Sequence, residues 1–216
     1  MQTTGIVLAA GKSSRLGRDK LSVMMPDGRA LAAWTLEAAL NSRLDQIVCV
    51  VKPEDSLEWL PSKWHEVFSY TYNPEKRLRF VLCNDFAGGM ANSIHCGILT
   101  AMEYRPKGVL MLMADQPLIT TENINQVTAV LDSNPLCDYV AGTDNEGSKP
   151  PVAFRSHMFG QLLSLHGDEG ARKMLRNPKY QGVQVSLGRE SFWDADTELQ
   201  VQQILKYAEE RMWREA

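Results

Sequence analysis

The chain has 216 residues, 44% of them hydrophobic and 23% charged, with a formal net charge of −3. That length accommodates one α/β domain spanning 1–216 with a substantial core, and the acidic balance argues against a nucleic-acid partner, whose binders gather basic residues on one face. No signal-type segment or membrane-length apolar run is present, and the four cysteines (Cys49, Cys83, Cys96, Cys137) lack CxxC spacing, so the expectation is a cytoplasmic protein with no membrane partner, structural disulfide or zinc site.

In chain order, short apolar runs at 5–10, 47–51, 79–83, 108–113, 139–142, 152–154 and 183–187 read as strands. Several are nearly continuous rather than alternating, the pattern of a parallel sheet covered on both faces. Helical patterns lie at 30–40, 90–103, 121–131, 156–165, 170–175 and 197–214, the last with Leu199, Ile204, Leu205 and Tyr207 placed to bury one stripe. The alternation predicts a doubly wound, mostly parallel α/β sheet. Ligands in such sheets gather beyond the carboxyl ends of strands, which selects the loops after Ala10, Cys83 and Met113. The stretch 52–77, rich in Trp, Pro and charge, resists assignment, and 144–151 reads as a mobile surface loop.

The most informative stretch is the first strand and its loop, Leu8-Ala9-Ala10-Gly11-Lys12-Ser13-Ser14-Arg15, with Gly17 and Lys20 following. Small residues let a ligand approach the backbone, and free N–H groups with Lys and Arg suit a phosphate. The spacing matches neither GxxxxGK[ST] nor GxGxxG. An exposed basic turn is the plain alternative, but the order of strand, loop and cations favours a nucleoside triphosphate site.

Four more clusters bear on chemistry. Asp115, in Met113-Ala114-Asp115-Gln116-Pro117, sits at the carboxyl edge of a buried strand, where hard oxygen ligands suit Mg²⁺; equally, it reads as a turn or capping residue. In Trp193-Asp194-Ala195-Asp196-Thr197 two carboxylates one residue apart can reach one metal, while Asp196 or Thr197 also makes a good N-cap. The loop from Asn84 through Gly88, Gly89 and Met90 to Ser93 permits close approach to a base or ribose, or is a plain glycine turn. Arg172, after Gly167-Asp168-Glu169-Gly170-Ala171, serves an acceptor phosphate or pairs with Asp168. The lone histidines and the ten methionines read as surface and core residues.

Taken together and in this order, the clusters resemble the molybdenum-cofactor nucleotidyltransferases, in particular the cytidylyltransferase branch and the related accessory proteins of xanthine dehydrogenase. The matching residues are Leu8-Ala9-Ala10-Gly11 with Ser13, Arg15, Gly17 and Lys20, then Gly89-Met90 with Ser93, Asp115-Gln116-Pro117, Gly167-Asp168-x-Gly170-Ala171-Arg172 and Asp194-x-Asp196-Thr197. Guanylyl relatives usually carry Leu-Ala-Gly-Gly where this chain has Ala10. The sequence departs from the family in Glu198-Leu199-Gln200 after the last motif, in Lys149-Pro150-Pro151, and in the long 52–77 connection.

The resemblance implies a Rossmann-like fold of the nucleotide-diphospho-sugar transferase type in three layers. It also implies an enzyme that moves CMP from CTP to the terminal phosphate of molybdopterin with release of pyrophosphate. On that reading Leu8, Ala9, Ala10, Gly11, Lys12, Ser13, Ser14, Lys20, Asn84, Gly89, Met90, Ser93 and Asp115 meet the nucleotide. Arg15, Lys20 and Asp115 are catalytic, Gln116 and Arg172 meet the acceptor, and Asp115 with Asp196 holds Mg²⁺. A molybdoenzyme is the implied protein partner. The alternatives are a same-scaffold transferase using GTP or a sugar-phosphate acceptor, and a non-catalytic protein that delivers the cofactor.

Overall fold

The structure, a computed structural model, describes residues 2–11, 16–64, 68–71, 73, 75–144, 146–168 and 170–215. Its centre is β1 (Thr3–Leu8), flanked by β2 (Gln46–Val51) and β5 (Gly108–Met113). Beyond β2 lie β4 (Leu78–Leu82) and β3 (Phe68–Ser69); beyond β5 lie β7 (Ser148–Arg155), β6 (Tyr139–Thr143) and β8 (Gly182–Ser186). The eight strands run in the order β3-β4-β2-β1-β5-β7-β6-β8. All pairings are parallel except those of β7 with β5 and β6.

The central strands are apolar over most of their length because both faces are covered. Val7, Ala9, Ile47, Cys49 and Val51 pack beneath α1 (Leu31–Leu40) and α3 (Thr121–Ser133). Their neighbours Ile6, Leu8, Ala10, Val48 and Val50 pack beneath α2 (Met90–Met102) and α4 (Phe159–Leu162). Successive side chains thus serve opposite layers, as strand geometry requires, and each buried Val, Leu or Ile contributes about 1.5–3 kcal/mol. Helix α2 approaches the sheet closely at Gly97, where a Cβ would lie 2.5 Å from Ile6 Cγ2. The predicted α/β architecture is therefore observed.

Four local expectations change. The segment 52–77 is not a bare connection: Leu57, Trp59, Leu60 and Trp64 are buried in the layer shared with α1, and Trp59 meets Phe80 edge-on at 6.1 Å. It also supplies β3, whose two residues are too short for any periodicity to show. The expected loop at 144–151 is half strand, since β7 begins at Ser148 and pairs with Thr143 of β6. Proline donates nothing to a ladder, and the β6–β7 register shifts at Ala141/Gly142 so that Pro150 and Pro151 are passed over. The helix expected over 156–165 is only a 3₁₀ turn followed by the four residues of α4. In α6 (Glu198–Glu215) Leu199 is 76% exposed, while Ile204 is buried with Val201 and Ala208 on Val23, Leu31 and Leu118, and Leu205 and Tyr207 pack at the margin as expected.

Candidate active site

The chain passes from β1 outward to β2 and β4, then returns to β5 on the other side of β1. A sheet whose strand order reverses leaves a crevice at the reversal. Leu8 stands opposite Met113, so 9–11 and 114–116 leave the sheet side by side. The Ala9 N–H donates to Val50 O at 2.8 Å and the Ala114 N–H to Leu8 O at 3.1 Å, which carries the ladder past the strand ends.

Three charged groups meet at this edge. The Asp19 carboxylate accepts from the Leu21 N–H at 3.1 Å and the Ser22 hydroxyl at 2.6 Å, tying the turn that presents Lys20. Lys20 Nζ donates to Asp115 Oδ2 at 2.5 Å and to Asp196 Oδ1 at 2.7 Å. The Lys20 and Asp115 side chains are only 10% and 14% exposed. Asp196 is brought there by the buried Ala195, whose N–H donates to Asp115 O at 3.1 Å.

The capping alternatives are settled by neighbours. Thr120 caps α3 through a reciprocal pair with Asn123, and Thr197 Oγ1 accepts the Gln200 N–H at 3.3 Å at the start of α6. Both aspartates are thereby released to face Lys20. Burial pulls the Lys20 ammonium down, but Asp115 and then Asp196 outweigh it and raise its pKa. Burial, followed by the charges of Asp196 and Asp115, holds the Asp194 carboxyl above the usual range. An ion cluster of this kind is poor evidence for stability, because desolvation consumes most of the attraction, so its arrangement points to chemistry.

The facing wall is built from two loops that touch. Gly89 has φ +108°, and a Cβ there would lie 2.3 Å from the Gly167 carbonyl carbon, so no larger side chain is accommodated. The Ala91 N–H donates to Gly167 O at 3.0 Å. A Cβ on Gly170 would meet Met90 Sδ at 2.7 Å. Arg172, which opens α5 (Arg172–Leu175), is exposed and without an ion-pair partner among the described residues.

A cleft of about 800 Å³ lies between the walls. Leu8, Ala9, Ala10, Gly11, Lys20, Gly89, Met90, Ser93, Asp115, Gln116, Arg172 and Asp196 all line it. Asn84 is exposed on its loop and lies off the lining. Lys12, Ser13, Ser14 and Arg15 fall outside the described residues. Sequence reasoning passed over the apolar lining, including Leu16, Phe86, Met113, Val152 and Leu175, because isolated hydrophobic residues carry no motif. It noticed Asp194 without assigning it; the Asp-x-Asp spacing was the available signal.

Similarity to known proteins follows this geometry. The family model of the MobA-like NTP transferase domain matches residues 5–185. The chain belongs to the MobA-like NTP transferase family. It is 32% identical over 174 residues to the purine catabolism protein PucB of Bacillus subtilis, covering 80% of each chain. It is 28% identical over 127 residues to a probable molybdenum cofactor guanylyltransferase of Mycobacterium avium, covering 59% of this chain and 56% of that protein. A solved nucleotidyl transferase from Methanothermobacter shares the fold with a TM-score of 0.76 at 16% identity, over 97% of this chain and 99% of that one. The architecture is thus of the nucleotide-diphospho-sugar transferase type, and membership assigns the chain to the nucleotidyltransferases. No helix among the described residues is long and apolar enough to cross a membrane.

The donor set also fits a divalent cation. Among the described residues no three His, Cys, Asp or Glu side chains form a ready-made cage. Mg²⁺, however, usually takes one or two carboxylates and completes its shell with water and phosphate oxygens. Asp115 and Asp196, already converging on a single ammonium, offer that pair.

Proposed function

We propose that this member of the family transfers CMP from CTP to the terminal phosphate of molybdopterin and releases pyrophosphate. The observation that carries the reading is the meeting of Lys20, Asp115 and Asp196 at the β1/β5 edge of one cleft, with the exposed Arg172 on its far wall. In this reading the base lies against Ala9, Ala10 and the Gly89–Ser93 turn, and Ala10 favours cytosine. The backbone from Gly11 to Ser14, with Arg15 and Lys20, holds the triphosphate. Gln116 and Arg172 orient the acceptor.

The acceptor's phosphate oxygen forms a new bond to the α-phosphorus as the bond to the bridging oxygen of the leaving pyrophosphate breaks. A phosphate monoester has its second pKa at about 6, so it arrives anionic and needs little general-base help. Positioning and charge neutralisation by the chain therefore carry the reaction. Asp115 and Asp196 would hold Mg²⁺, which supplies further neutralisation of phosphate charge.

A second reading, GMP transfer from GTP, is supported by the similarity to the mycobacterial probable molybdenum cofactor guanylyltransferase. Delivery of the finished cofactor to a cytoplasmic molybdoenzyme is compatible with either. A screen for pyrophosphate release, each of four nucleoside triphosphates against molybdopterin and sugar phosphates with Mg²⁺, tests the proposal. Turnover with CTP and molybdopterin is the expected result, and turnover confined to GTP or to a sugar phosphate refutes it. Thermal shift gives a parallel readout, because a ligand at one hundred times its Kd adds about 2.7 kcal/mol.

A further inference from the structure

The Lys20 ammonium occupies a position that any cation drawn to this cluster would compete for. It stands 2.5 Å from Asp115 and 2.7 Å from Asp196, and Asp194 lines the same cleft. The carboxylates come from separate segments, one at the end of β5 and the other ahead of α6. Among the described residues, the Ala195 N–H bond to Asp115 O alone joins their backbones directly. Without a cation between them, like charges would face one another in a site largely shielded from water. Two cations cannot occupy that gap together, since repulsion at such a separation is severe where screening is weak. The lysine stem has four rotatable carbons and a compact charged head, and open cleft lies beside it.

We infer that Lys20 is an exchangeable placeholder, which a divalent cation at Asp115 and Asp196 displaces so that the ammonium swings into the cleft. The destination of that ammonium, a polyphosphate oxygen, rests on the nucleotidyl-transfer reading; the exchange itself rests on the geometry. Two consequences follow from the competition. The free protein binds the cation weakly, because the carboxylates are already occupied. A polyphosphate that draws Lys20 away strengthens cation binding, and by linkage the cation strengthens polyphosphate binding equally.

The test titrates Mn²⁺, by electron paramagnetic resonance and without nucleotide, into the wild-type protein and Lys20→Met, with folding checked by circular dichroism. The variant is expected to bind Mn²⁺ roughly tenfold more tightly, as follows if the ammonium holds the carboxylates about nine-tenths of the time. Inorganic triphosphate should then strengthen Mn²⁺ binding in the wild type more than in the variant. Unchanged or weaker Mn²⁺ binding by Lys20→Met overturns the inference. A variant that fails to fold is circumvented by the wild type alone: Mn²⁺ should speed acylation of Lys20 by an amine-reactive ester, read by peptide mass spectrometry. Constant or slowed acylation overturns the exchange. None of these readouts requires turnover, so a wild-type protein inactive with CTP and molybdopterin refutes the proposed function while the exchange is judged on its own measurements.

Discussion

The two walls of the cleft are held in different ways. The wall at β1 and β5 is pinned by backbone bonds and ends in a partly buried ion cluster, Lys20 with Asp115 and Asp196. The wall formed by 167–168 and 170–175 is attached through a close backbone approach at Gly89 and presents an exposed Arg172. The difference fits a division of labour. The ion cluster gathers the charge that meets the phosphates, whereas choosing among acceptors needs a surface that can change without disturbing that cluster.

The largest effect should fall on the pinned wall. Lys20→Ala is expected to lower pyrophosphate release roughly 10²–10³-fold, the loss typical of one preorganised donor; near-normal steady-state turnover would remove Lys20 from the chemistry. Next comes the join between the walls. Gly89→Ala imposes both a disfavoured φ and a collision with Gly167, and should cost about 1–3 kcal/mol in unfolding stability. If its denaturation midpoint matches the parent's, the two loops are not in contact in solution.

A milder change tests the other wall. Arg172→Ala should raise the acceptor's KM about tenfold, corresponding to loss of one charged hydrogen bond of about 1.5 kcal/mol, with little change in the KM for the triphosphate. Equal changes in both constants would erase the division. The smallest expected effect involves carboxylates that line neither wall. Burial alone would raise Asp27 and Asp138, but Arg29 and Trp34 around the first, and His157 with the Gln181 N–H at the second, hold both below the usual range. A depressed folded pKa means stability that is present above the unfolded value of about 4 and lost as pH falls through the folded one. Urea midpoints should therefore decline below about pH 4, and Asp27→Asn should flatten that decline.

Several parts of this molecule were readable residue by residue. The expected strands at 5–10, 47–51 and 108–113 were legible because burial on both faces leaves an almost uninterrupted apolar run. The crevice location followed from the alternation of strands and helices alone. By contrast, Asp115 read evenly as a metal ligand or as a turn or capping residue, and Asp196 more readily as an N-cap, whereas the caps of α3 and α6 are taken by Thr120 and Thr197. Leu199 shows the same limit from the apolar side: helical period placed it on the stripe, yet in the first turn of α6 it is exposed to solvent. Asn84 had a plausible donor group, and its loop carries it away from the cleft lining.

The sequence by itself determined the family, the layered sheet and the edge at which the ligand-facing loops gather, because these depend on local hydrophobic runs and on motifs contiguous in the chain. Tertiary structure alone decided that Lys20 stands between two aspartates 95 and 176 positions away, and that Gly89 leans on Gly167. Contacts across such separations are set by how the strands are ordered and how the helices pack on them, and no local pattern of residues encodes that distance.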